Sequence, residues 1–279
     1  MHCYERYFNE FRRYVEENYD LIDARSKAAQ DIILSKISKS KFKNNITIKG
    51  GVVMHSISNS IRRATRDLDL DFIKYSLEDE SIKEFINKLN SVNDNVTIQI
   101  IGRIEELHHQ NYNGKRIYVK LFDKNNYEID TKLDIGVHKL FELKQDDYFF
   151  NLDGIADGVS LFINSPEQIF TEKLKSLLKL GFRSTRYKDL FDFYYLINHD
   201  KLDNKKLLKI FKVIIFDDNN LKESTIEDIY FRLKSIFKSN VYRSNLADPK
   251  NNWLDIPIND AIDSVLNYIE ELSKEAVGV

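Results

Sequence analysis

The chain has 279 residues, 42% of them hydrophobic, which is enough for a sizeable core in one large domain or two modest ones. Only 9 Gly and 3 Pro are present, so long flexible linkers are not expected. The formal charge of −2 does not advertise a nucleic-acid binder, and the single cysteine, Cys3, excludes an intramolecular disulfide and a thiol-based zinc site.

The segment Met1 to Arg6 is charged and lacks the apolar core of a signal peptide. No apolar run approaches membrane-spanning length, and the chain reads as soluble and cytoplasmic, without a membrane partner. Tyr4, Tyr7, Phe8, Phe11, Tyr14 and Val15 recur at helical spacing, as do Ala24, Ala28, Ala29, Ile32 and Ile33 after Asp20. Two helices are therefore predicted ahead of the core, the aromatic stripe serving packing. From Ile32 to Arg66 there are eight basic residues (Lys36, Lys39, Lys41, Lys43, Lys49, Arg62, Arg63 and Arg66) and no acidic one. Such a run suits a polyanionic substrate, although the lysines taken singly fit a solvated face equally well.

Ile46 to Ile48 reads as a short buried strand, Gly50-Gly51 as a tight turn, Val52 to Ser60 as a helix and Asp67 to Ile73 as a second strand. Side chains alternate along a strand, so Asp67 and Asp69 share a face opposite Leu68, Leu70 and Phe72. Two adjacent carboxylates repel each other unless a cation joins them. A hard cation such as Mg²⁺ takes oxygen ligands from one or two carboxylates and substrate phosphates. The glycine turn opening a helix offers free backbone N–H groups to those phosphates. Arg63 and Arg66 flank the carboxylate pair and are candidates for the same site.

Ile82, Phe85, Ile86 and Leu89 mark another amphipathic helix, and Val96, Ile98 and Ile100 alternate as a strand. Asn113-Gly114 is a hairpin signal leading into Ile117, Val119 and Leu121. In the next strand Ile129, Thr131, Leu133, Ile135 and Val137 share one face, with Asp130, Lys132 and Asp134 on the other. Asp134, flanked by apolar neighbours, is the candidate third carboxylate. The plainer reading pairs it with Lys132 or Arg116 on a solvent face. Ser165-Pro166-Glu167-Gln168 is a helix start, and Gly181 suits the end of that helix. Lys173 lies at its edge, and a second helix is predicted from Thr185 to Ile197, where spacings of three gather Arg186, Asp189 and Asp192. Helical patterns recur at Leu207 to Ile215, Ile226 to Phe237 and Ile258 to Leu272, with no chemical constellation there. His108 and His109 are adjacent rather than a turn apart, and His55 and His138 lack a paired histidine at useful spacing. There is no Walker loop, dinucleotide fingerprint or Gly-x-Ser-x-Gly elbow. The pattern predicts an α+β fold, with a mixed β-sheet core and flanking helices over residues 1–155 and a helical domain over 156–279 that completes the active cleft.

Lys49-Gly50-Gly51, Arg63-Ala64-Thr65-Arg66-Asp67-Leu68-Asp69, Leu133-Asp134-Ile135-Gly136, Glu172-Lys173-Leu174 and Arg186-Tyr187-Lys188-Asp189 with Asp192 together resemble the nucleotidyltransferases of the polymerase-β superfamily. More narrowly, they resemble the AbiEii/AbiGii (MenT-like) toxin family, over residues 20–200. One departure is Val52, where Ser or Thr is usual, so a hydroxyl contact to phosphate is missing while the backbone N–H groups remain. The resemblance implies transfer of NMP from an NTP to an acceptor hydroxyl, with the tRNA 3′ end as the RNA acceptor and an antitoxin as partner in a type IV-like toxin–antitoxin system. It implies Asp67, Asp69 and Asp134 as ligands of two Mg²⁺ ions, with Mn²⁺ as an alternative. Lys49, Gly50, Gly51, Arg63, Thr65, Arg66, Lys173 and Arg186 would bind the nucleotide. Asp189 would orient Lys173, and these two would join the three aspartates as catalytic residues. Two other readings stay open: a nucleotidyltransferase of small molecules such as antibiotics, and a non-catalytic nucleotide-binding protein.

Overall fold

The computed structural model describes residues 12–107, 114–125, 127–140, 142–152, 158–199 and 202–277. Cys3, the aromatic residues Tyr4, Tyr7, Phe8 and Phe11, the pair His108 and His109, and Asn113 lie outside the described residues. The chain divides into two compact units, residues 1–164 and 165–279. The division falls beyond residue 155 because a strand at Val159–Ile163 pairs within the sheet of the first unit.

The first unit begins, after helical residues 12–16, with α1 (Leu21–Lys39), capped by the Asp20 carboxylate, which accepts from the Ile22 and Asp23 N–H groups. Then come β1 (Ile46–Lys49), α2 (Gly50–Ser58), β2 (Asp67–Phe72), α3 (Asp79–Asn90), β3 (Val96–Leu107), β4 (Gly114–Asp123), β5 (Glu128–Val137), β6 (Asp146–Phe150) and β7 (Val159–Ile163). The strands form one mixed sheet in the order β3-β4-β5-β2-β1-β7-β6. β2 runs parallel to β5 and β1 parallel to β7, while β1 and β2 are antiparallel. The glycine pair is the first turn of α2 rather than a separate turn before it. The helix stops at Asn59, whose left-handed φ of 48° places it among the residues that tolerate that conformation.

Alternation along the strands gives the sheet two chemically distinct faces. Ile46, Ile48, Leu68, Leu70, Phe72, Ile117, Val119, Leu121, Leu133 and Ile135 are all buried, and the registers put them on one side. Phe72, Phe85 of α3 and Phe42 meet edge to face on this side, with centroids 5.2 and 5.4 Å apart. The opposite side carries Lys49, Asp67, Asp69, Asp71, Arg116, Lys132 and Asp134.

Lys36 of α1 is fully buried and reaches Asp94, ahead of β3, at 2.6 Å. His55 of α2 is also buried, its Nε2 2.8 Å from the Tyr19 hydroxyl, and burial lowers its pKa to about 3. An unfolded histidine near 6.5 binds its proton first, so the stability from this group is present above that pH. It is lost as pH falls towards 3, by about 1.4 kcal/mol per pH unit. The expected NMR result is no titration of the His55 imidazole between pH 8 and pH 5. A midpoint near 6.5 would contradict the burial account.

The second unit is helical: α4 (Pro166–Leu180), α5 (Lys188–His199), α6 (Asn204–Phe211), α7 (Ile226–Phe237), α8 (Asn240–Leu246) and α9 (Ile258–Val277). Ser165 caps α4 by accepting from the Gln168 N–H, with Pro166 next and Gly181 at the far end, as the sequence predicts. α5 starts at Lys188 rather than Thr185, because the Ser184 hydroxyl accepts from the Arg186 N–H and holds a non-helical turn first. The predicted helix from Leu207 to Ile215 is instead α6 followed by a π-helical turn over Lys212–Phe216.

Candidate active site

The registers around β2 decide where the acids fall. Asp69 of β2 lies directly opposite Asp134 of β5, and Asp67 opposite Lys132, in a parallel ladder. Facing residues in a ladder project to the same side, so Asp67, Asp69 and Asp134 share the polar face. Acids from two segments more than 60 residues apart are thereby brought side by side.

The glycine corner meets them from β1. Lys49 is the register partner of Asp69, and the next residue, Gly50, has φ +69°. A Cβ on Gly50 would overlap the Asp69 carboxylate. A Cβ on Gly51 would stand 2.6 Å from the Thr65 hydroxyl. Both glycines are thus required by close approach, and the first also by backbone conformation. The N-cap residue Lys49 makes no side-chain cap bond at the start of α2, which opens beside Asp69.

The cations of this face are already engaged. Arg116 of β4 grips Asp134 with both nitrogens, Nε to Oδ1 and Nη2 to Oδ2, each at 2.7 Å. This pair, the plainer partnership expected from sequence, exists on a face where Asp134 is only 8% exposed. Bonding to that carboxylate holds the Arg116 pKa above its ordinary value. Lys132 Nζ lies 3.0 Å from Asp67, and Lys49 Nζ donates to Asp71 at 2.6 Å. Among the described residues no three His, Cys, Asp or Glu side chains are grouped to hold a metal ion as they stand. The donor set nevertheless suits a hard divalent cation: carboxylate oxygens on neighbouring strands, with a glycine held against one of them. Two of the three carboxylates are turned onto a guanidinium and an ammonium.

The remaining expected nucleotide-binding residues divide. Thr65 sits against Gly51, and its carbonyl accepts from Gln30 Nε2 at 2.8 Å. Arg66 points away, to Asp23 at 2.8 Å and Asp20 at 3.7 Å near the start of α1. Arg63 and Lys49 are buried, as is Lys36, so the basic run is not one solvated face. Val52 is buried too.

In the second unit Lys173 of α4 is 5% exposed and lies between two acids of α5, Asp189 at 2.5 Å and Asp192 at 2.9 Å. Arg186 Nε approaches the other Asp189 oxygen at 3.2 Å from an exposed position. Trp253 Nε1 donates to the fully buried Asp192 at 3.1 Å. Sequence reasoning missed Trp253 and Asp71. The continued alternation Asp67, Asp69, Asp71 carried a signal for the second, whereas nothing local pointed to the first.

The family described as Nucleotidyl transferase AbiEii toxin, Type IV TA system matches residues 32–257, well past residue 200. The chain belongs to this family of toxin nucleotidyltransferases. No curated protein matches it. Among solved structures, an antigenic nucleotidyltransferase-like protein from Paracoccidioides brasiliensis is similar at a TM-score of 0.37 and 14% identity, over 86% of this chain and 93% of that one. That likeness is too distant to carry an argument. No helix among the described residues is long and apolar enough to cross a membrane.

Proposed function

We propose that the chain moves a nucleoside monophosphate from an NTP to the 3′ hydroxyl of tRNA in the cytoplasm, and that an antitoxin neutralises this toxic activity. The observation that supports this most is the facing pair Asp69 and Asp134 with Gly50 packed against Asp69. The acceptor oxygen attacks the α-phosphorus, the bond from that phosphorus to the bridging oxygen breaks, and pyrophosphate leaves. Asp67, Asp69 and Asp134 would hold Mg²⁺, two ions in number, with Mn²⁺ as an alternative; the ions would stabilise the attacking and leaving oxygens. Asp134 is the carboxylate assigned to take the proton of the acceptor hydroxyl. The N–H groups of Gly50 and Gly51 would receive the terminal phosphates without any hydroxyl from Val52. The Thr65 hydroxyl lines the same corner. Lys49 and Arg63 would add positive charge from buried positions, and Arg66 would have to leave Asp23 to contribute.

In the second unit, Asp189 would orient Lys173, and Lys173 and Arg186 are cations suited to phosphate. Lys173 is held by two carboxylates, which suits a fixed point charge.

The test is incubation with each of four α-labelled NTPs and either total tRNA or a panel of small hydroxylated acceptors, with Mg²⁺. Label on the tRNA 3′ end is the expected result. Label on small molecules alone would overturn the tRNA acceptor, and no transfer to either would favour a non-catalytic nucleotide binder.

A further inference from the structure

The acids of the candidate site are not simply waiting for a cation. Asp134 has both oxygens occupied by the Arg116 guanidinium at 2.7 Å, in the bidentate geometry that makes such pairs the stronger and more directional ones. Its side chain is 10% exposed and that of Arg116 26%, so solvent weakens the contact only in part. The corresponding pair on Asp67 is of another kind. Lys132 makes one contact at 3.0 Å, and the Asp67 side chain is 37% exposed. Of the two, only the Arg116 pair withholds a largely buried carboxylate, the one facing Asp69 across the ladder.

We propose that Arg116 is a built-in competitor for the divalent cation: its guanidinium stands in for the metal on Asp134, and loading the site requires that the side chain give up this carboxylate. The inference rests on the metal-dependent reading above and adds a residue to it. The physical reason is charge balance. Asp69 and Asp134 face each other, and in the absence of a cation their repulsion is relieved by the arginine. When a cation binds between them, the guanidinium becomes a like charge beside it and loses its partner. Freed from Asp134, Arg116 would remain on the polar face as a cation without its carboxylate, suited to an anionic substrate group such as a nucleotide phosphate. Site loading and substrate binding would then favour each other.

The competition is read directly by metal binding without turnover. Mn²⁺ binding by electron paramagnetic resonance is measured on the full-length wild type, on Arg116→Gln, on Arg116→Lys, and on Lys120→Gln as control. Lys120 lies on the same strand and alternates to the same face as Arg116, but it pairs with Glu128 at 2.5 Å, away from Asp134. Arg116→Gln is expected to bind Mn²⁺ at least about tenfold more tightly than wild type, the scale of losing one charge-assisted pair. Arg116→Lys, which keeps the charge without the fork, should fall between the two, and Lys120→Gln should match wild type. Equal or weaker binding by Arg116→Gln, in protein whose thermal melting shows it folded, would overturn the competition while leaving the metal site standing. An equal gain in Lys120→Gln would overturn it as well, by showing a general effect of net charge. If neither wild type nor any variant binds Mn²⁺, the metal-dependent reading falls and this inference falls with it.

Discussion

Asp69→Asn is expected to lower nucleotidyl transfer by about a thousandfold or more, with the fold intact. The substitution keeps the size of the side chain, its place in the β1–β2–β5 register and its contact with Gly50, and removes only the charge that a hard cation requires. A loss of this size is the scale on which single electrostatic groups act when they face charge that develops in the transition state. Initial rates with saturating NTP, beside thermal melting by circular dichroism, separate the two effects. A variant that melts as wild type does and retains more than about a tenth of the activity would remove Asp69 from the chemistry.

The largest stability effect is expected at a different place. Asp94→Ala should destabilise the chain by about 3–5 kcal/mol at neutral pH, because it leaves the fully buried Lys36 ammonium without its carboxylate. The same carboxylate also accepts from the Val96 N–H at the start of β3, so the entry to that strand loosens too. Burial already lowers the Lys36 pKa against the pull of Asp94, and losing Asp94 lowers it further. A lysine whose folded pKa lies below its unfolded value loses stability as pH falls, because the unfolded chain takes the proton first. The deficit of Asp94→Ala should therefore shrink as pH rises towards 10. Urea unfolding at pH 7 and pH 10 checks both the size and the trend. A deficit under about 1 kcal/mol at pH 7 would show that the pair is not structural.

Much of the sheet was legible because burial on one face imposes a period of two. Asp67 to Phe72 and Glu128 to Val137 alternate so regularly that the side taken by each aspartate followed from sequence alone. The start of α4 was equally open, since Ser165, Pro166 and Gln168 each satisfy a distinct requirement of a helix N-terminus. What alternation does not carry is which strands become neighbours. The parallel register of β2 on β5, which sets Asp69 against Asp134, depends on pairing across more than 60 residues. The strand β6, with two aspartates before its aromatics, and the short β7 gave too little pattern to stand out from a loop. At the candidate site, residue types were readable and partners were not. Lys49 and Lys36 look alike in a basic run, yet one is committed to Asp71 and the other to Asp94. Lys173 sits between Asp189 and Asp192 because α4 and α5 pack together, and Trp253 joins them from a stretch with no motif.

Anomalous diffraction from crystals soaked with Mn²⁺ and a non-hydrolysable NTP analogue tests the site most directly. A manganese peak about 2.2 Å from carboxylate oxygens of both Asp69 and Asp134, with the analogue's phosphates against the Gly50-Gly51 corner, is the predicted result. A peak bound elsewhere, away from those two carboxylates, with the nucleotide remote from the glycines, would contradict it.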